Sequence, residues 1–188
     1  MNVQAQAVLD FWFGSDDAER DVWFRKDPAF DAEIAQRFGP LVESALRDGL
    51  RDWQDEPASA LARIVLLDQF TRNIFRDSAR AFAGDTLALA AARVMVAAQH
   101  DLALPPVRRS FVYLPFEHAE DLAAQDEAMR LFTRLGIDAP ALAGYVDYAQ
   151  RHRAIIERFG RFPHRNAALG RVSTAEETAF LQRPGSRF

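Results

Sequence analysis

Apolar residues recur at intervals of three and four along almost the whole chain, the spacing that gathers side chains on one face of an α-helix. No alternating, strand-like stretch bounded by hairpin signals interrupts them, and the pattern predicts an all-α protein. Glycine and proline divide it into segments. Residues 4–13 read as a first helix ended by Gly14. Residues 28–38 read as a second, with Asp27 as N-cap, Pro28 at the first helical position, and Gly39-Pro40 kinking or restarting it toward Leu50. A long helix is expected over 57–75, with Leu61, Ile64, Val65, Phe70, Ile74 and Phe75 in the core, and an alanine-rich one over 85–99.

Pro105-Pro106 opens a short helix through Tyr113 that Pro115 is expected to break. Residues 116–135 follow, closed by Gly136, then 140–159, closed by Gly160. The last helix begins at Thr174, where Glu177 completes a capping box, and runs to about residue 182. About eight helices joined by short loops fit antiparallel pairs, in a bundle or superhelix. No linker or low-complexity run divides the chain, so residues 1–188 are expected to form a single all-helical domain.

Composition narrows the setting. The chain is 49% hydrophobic and 27% charged, ordinary proportions for a globular protein. The absence of cysteine excludes a disulfide framework and a thiolate nucleophile. No leader-like N-terminus or membrane-length apolar run is present, and a cytoplasmic protein with no membrane partner is expected. A net charge of −4 repels nucleic acid, so no nucleic-acid partner is expected. Charge is also uneven. Residues 15–56 hold 12 acidic and 6 basic groups, whereas residues 151–188 hold 3 acidic and 8 basic groups. The basic end either attracts the acidic one or awaits an anion.

Four clusters carry candidate chemistry. In LLDQFTRNIFR, Asp68 stands among apolar neighbours, and a buried carboxylate there requires a partner such as Arg72, four residues on. Asn73 and Arg76 belong to the same stretch. Next, Glu117 and His118 open the predicted helix 116–135, where His118, Leu122, Gln125, Met129 and Phe132 share one face. On 140–159, His152 lies on the apolar stripe with Leu142, Tyr145, Ala149 and Ile156. Last, RFGRFPHRN interleaves Arg158, Arg161, His164, Arg165 and Asn166 with phenylalanines. This stretch reads either as a flap facing a ligand or as a tail clamped onto acidic helices.

If those faces meet, the polar groups meet. His118 or His152, oriented by Asp68 or Glu117, would then supply acid–base chemistry of hydrolase or isomerase type. Arg72, Asn73, Arg76, Gln125, Arg158, Arg161, His164, Arg165 and Asn166 would hold a small carboxylate or phosphate compound. H-E-x-x-H and paired E-x-x-H motifs are absent, as are nucleophile-elbow, Walker A and dinucleotide fingerprints. No metal and no cofactor is therefore expected.

The stretches VLDFWFG (8–14), LLDQFTRNIFR (66–76), FVYLPFEHAED (111–121) and RFGRFPHRNAALGRVSTAEE (158–177) closely resemble a bacterial and fungal family, domain of unknown function 924. The resemblance spans nearly the whole chain. It implies an all-helical fold similar to tetratricopeptide-like superhelices and brings no activity with it. Thr71 stands where that family often has proline, which returns an N–H to the helix. A tetratricopeptide-like fold raises a second functional class, a non-catalytic module holding an acidic peptide or partner protein in a concave groove. Converging His118, His152 and Asp68 distinguish the first class, and an open groove the second.

Overall fold

The computed structural model describes residues 1–15, 17–23 and 25–186. Helix α1 (Val3–Phe13) starts at Asn2, whose side chain accepts the N–H groups of Gln4 and Ala5, and it stops at Gly14, where φ is 74°. Its inner face, Ala5, Val8, Leu9, Trp12 and Phe13, is fully buried. Helix α2 (Pro28–Leu46) continues through Gly39-Pro40 rather than kinking or restarting there. Ile34, Phe38, Val42 and Ala45 form one continuous buried stripe across that point, and this packing outweighs the single hydrogen bond that Pro40 cannot donate.

The predicted helix 57–75 is one rod with an irregular centre. Helix α3 (Pro57–Ile64) widens into a π-helical turn (Val65–Phe70) and narrows again as α4 (Thr71–Ile74). All of the π turn except Gln69 is buried, so the rod runs through the middle of the molecule. Ile74 and Phe75, expected in the core, are half-buried against it.

Helix α5 (Asp85–Ala97) begins directly over that turn. A Cβ added to Gly84 would lie 2.1 Å from the Leu67 carbonyl oxygen, so only glycine lets the two backbones approach. This crossing delivers Asp85 to the π turn.

Helix α6 (Pro106–Glu117) runs through Pro115, and the break falls after it, at His118. In the last turn of a helix Pro115 forfeits one bond, while Phe111 through Glu117 remain buried. The restart is set by Asp121, which caps α7 (Leu122–Asp138) by accepting the Ala124 N–H at 2.8 Å. His118 is therefore the C-cap of α6 and not a member of the α7 stripe. Gly136 lies within α7, packed 3.2 Å (Cβ position) from Ala143 before α8, and does not end the helix. Helix α8 (Tyr145–Phe159) ends at Gly160, with φ 67°. The chain then folds back through Phe162 to α9 (Ala175–Leu181), which has the predicted Thr174–Glu177 capping box. Among the described residues there is no strand. A large core joins α1 to α8, and Ile155, Ile156 and Phe162 with Phe159 and Phe180 form a small second one beneath α9.

Candidate functional site

Asp68 enters the interior from the π turn, a helical irregularity that often marks functional positions. It is 1% exposed, a costly place for a charge unless partners surround it. Its Oδ1 meets His118 Nδ1 at 2.7 Å and Arg72 Nη1 at 3.3 Å, and Gln69 Nε2 donates to Oδ2 at 2.5 Å. Burial alone would raise the Asp68 pKa, but Arg72, His118 and Gln69 outweigh it and hold the carboxyl well below the usual range. An ionised Asp68 only accepts, so His118 carries its proton on Nδ1 and presents Nε2 as a base. Burial, reinforced by Arg72 and Arg165, lowers the His118 pKa despite Asp68.

A second imidazole–carboxyl pair lies beside the first. His152, on α8, has Nδ1 2.9 Å from the Tyr148 carbonyl oxygen and 3.1 Å from Glu117 Oε1. The carbonyl can only accept, so this ring is also protonated on Nδ1. The two rings lie 6.2 Å apart between centroids. Glu117, the final residue of α6, is 3% exposed, and burial, then the charge of Asp68, push its pKa up to about 8. Burial, then His118, bring His152 down to about 3. Two carboxyls in one cluster thus hold opposite states, one ionised and one protonated.

The α6–α7 break is stapled by Gln125, whose Nε2 donates to the carbonyls of Glu117 at 2.6 Å and Ala119 at 2.8 Å. Its Oε1 and Glu117 Oε2 are buried without a hydrogen-bond partner.

Two arginines close the cluster. Arg72 Nη1 donates to the Asp68 carbonyl at 2.6 Å and lies 2.9 Å from Asp85 Oδ1. Arg165 Nη1 donates to Asp85 Oδ2 at 2.9 Å, and its Nη2 to the His118 carbonyl at 3.0 Å. The Arg165 guanidinium is sandwiched between Phe82 and Phe162, 4.6 Å from each ring centroid. Burial and the neighbouring Arg72 lower its pKa to about 10, which leaves it cationic at neutrality. Arg72 Nη2 and Arg165 Nε are buried donors with no partner. His164 packs against Phe162 at 5.6 Å, its pKa brought to about 4 by burial and then Arg165.

The remaining predicted ligand-binding residues are engaged elsewhere. Asn73 and Arg76 both bind Asp31 of α2, at 2.7 Å and at 2.5 and 2.9 Å. Arg158 pairs with Glu176 at 2.6 Å and Arg161 with Glu177 at 2.6 and 2.8 Å. Asn166 donates to Ser173 at 3.0 Å and accepts from Arg171 at 2.9 Å. RFGRFPHRN is therefore divided: Arg158, Arg161 and Asn166 fasten α9, while His164 and Arg165 turn toward the cluster. Glu120, which lies within FVYLPFEHAED but is not one of the predicted site residues, anchors this segment through the Phe162 N–H at 2.7 Å and Arg171 at 2.6 Å. Asp85 and Phe82 were likewise unmarked in the sequence, because their partner Arg165 is about 80 residues away.

Two clefts lie on another part of the surface. One, of about 340 Å³, is lined by residues including Arg93, Ala97, Phe116 and Glu127. The other, of about 230 Å³, is lined by Leu102, Tyr113, Arg130 and Arg134 among others. Val96 borders both. Among the described residues no three His, Asp or Glu side chains are grouped to hold a metal ion, and no helix is long and apolar enough to cross a membrane.

A family model described as a bacterial protein of unknown function, DUF924, matches residues 8–185. The chain belongs to this family. The solved structure of a protein of unknown function from Agrobacterium tumefaciens is similar to it at 44% identity and a TM-score of 0.86, covering 95% of this chain and 97% of that one. Comparison with curated proteins gives no match. In this DUF924 member, the stretches at 66–76, 111–121 and 158–177 supply Asp68 and Arg72, Glu117 and His118, and Arg165 to the cluster, while 8–14 supplies Trp12 and Phe13 to the core.

Proposed function

We propose that the cluster binds a small anionic compound, a carboxylate or phosphate, between Arg72 and Arg165, with His118 as the acid–base group of a hydrolase- or isomerase-type reaction. The 2.7 Å contact between Asp68 and His118 carries this reading. It fixes the imidazole tautomer and orientation while leaving Nε2 to exchange a proton. The unpartnered donors of Arg72 and Arg165 supply hydrogen bonds for an anion. Charge bookkeeping adds a condition. Asp68 and Asp85 balance Arg72 and Arg165, so an added anion is accommodated when His118 takes up a proton.

A thermal-shift screen of metabolites and metal ions, repeated on His118→Ala and Arg165→Ala, tests the assignment. A ligand present at 100 times its Kd stabilises a protein by about 2.7 kcal/mol, and such shifts are expected in the parent and lost in both variants. Hits that stabilise both variants as strongly as the parent would place the ligand elsewhere.

The two clefts bordered by Val96 give a second reading, a site for an acidic peptide beside Arg93, with Arg130 and Arg134 exchanging their present partners Glu127 and Asp138 for the peptide's carboxylates. Trp12, Trp23 and Trp53, whose exposure beside a groove would support it, are all buried. An acidic peptide included in the same screen distinguishes the two, because its effect would survive His118→Ala.

A further inference from the structure

The turn after α5 brings a carboxylate to the wall of the smaller cleft. Gln99 takes the left-handed conformation, with φ 58°, and a 3-10 turn (His100–Ala103) begins there. Asp101, in that turn, is 4% exposed and accepts the Tyr113 O–H at 2.6 Å. An O–H···O contact this short is typical of an ionised acceptor. Burial, then this hydrogen bond, raise the Tyr113 pKa, so the phenol remains the donor.

The charge of Asp101 has no counterion. Tyr113 is neutral, and among the described residues no other side chain hydrogen-bonds to Asp101 or pairs with it. The cations around the cleft are already taken. Arg130 gives Nε and Nη2 to Glu127 at 2.8 and 2.6 Å, and Asp138 holds Arg134 and Arg109, each at 3.1 Å. A carboxylate buried to this extent without a cation is costly. Asp101 nevertheless lines a cleft of about 230 Å³, whose walls include the apolar side chains of Val96, Leu102 and Leu131. That volume is the share of about eight waters, so the ligand it suits is small.

We propose that this cleft binds a short apolar primary amine, with its ammonium on Asp101 and its alkyl chain against Val96, Leu102 and Leu131. An ammonium supplies both the missing charge and N–H donors in a compact group. An alcohol of the same shape could donate but would leave the charge unbalanced, and a carboxylate would be repelled by Asp101. The site is separate from the one between Arg72 and Arg165. It also differs from the peptide reading of the clefts, because Arg130 and Arg134 keep Glu127 and Asp138.

Isoamylamine, isoamyl alcohol and isocaproate share one branched chain and differ in the head group, so titrating each into the full chain at neutral pH, followed by NMR, tests the proposal. The amine is expected to shift the amide resonances of residues 99–102 and 130–134 and to bind at least about tenfold tighter than the alcohol, with isocaproate weakest. Asp101→Asn, whose carbonyl can still accept from Tyr113, should level the amine and the alcohol, with circular dichroism and a melting curve confirming the fold. His118→Ala should leave amine binding unchanged. An amine that binds no tighter than the alcohol in the parent, that shifts resonances elsewhere, or that keeps its advantage in Asp101→Asn would overturn the proposal. So would an acidic peptide that shifts these resonances where the amine does not, an outcome that gives the clefts to the peptide.

Discussion

Replacing Glu117 with glutamine is expected to stabilise the folded protein by about 4 kcal/mol at pH 8 and by only about 1 kcal/mol at pH 5.5. Released from the fold, Glu117 loses its proton near 4.5, whereas the folded chain keeps it up to about 8. Between those values the unfolded state gains by ionising, and stability falls as pH rises. Burial is the main cause, and the ionised Asp68 beside it adds to the effect. Glutamine preserves the shape and the acceptor that faces His152 but has no proton to release. His152 works in the opposite direction. It protonates near 6.5 when unfolded and only near 3 when folded, so stability falls as pH drops through that interval. The two effects cancel between about 4.5 and 6.5, where the parent protein should be most stable. Urea denaturation of parent and variant across this range checks the expectation. A gain from Glu117→Gln that does not grow with pH would contradict it.

Arg165→Ala is expected to cost about 3–5 kcal/mol, the range seen when one partner of a buried ion pair is removed. Asp85 would lose one of its two guanidinium partners, the His118 carbonyl its donor, and Phe82 and Phe162 the cation packed between them. The damage should spread along the chain, because Arg165 joins the C-terminal segment to α5 and to the end of α6. Faster hydrogen exchange at residues 162–166 should therefore accompany the loss measured in urea. Arg165→Lys should recover only part of it, as an ammonium cannot reach Asp85 and the His118 carbonyl with two separate N–H groups while stacking between rings. A cost below about 1 kcal/mol would mean that Asp85 and Arg72 hold the junction alone.

What the sequence disclosed follows physical locality. Periodicity exposed the helices, because one buried face repeats over many residues. Asp68, His118 and His152 stood out as polar residues on apolar faces, and Asp68 with Arg72 lay within one helical turn. Boundaries were harder. Pro115 looked like a break, yet a proline in the last turn removes little, and Asp121 as a cap restarts the helix six residues later. The π turn that carries Asp68 has no local signature, since it depends on burial around nearly its whole circumference. Arg158, Arg161 and Asn166 seemed to belong with Arg165 through adjacency, but Glu176, Glu177 and Ser173 draw them away. Asp85 was silent because its role arises only from two distant arginines and the close crossing allowed by Gly84.

Proton uptake on anion binding tests the central claim most directly. A carboxylate that the thermal-shift screen identifies, titrated calorimetrically into the protein at pH 7 in two buffers of different ionisation enthalpy, should draw in about one proton per anion in the parent. His118→Ala should take up none. Binding without proton uptake in the parent, or equal uptake in both proteins, would contradict a site built on the Asp68–His118 pair.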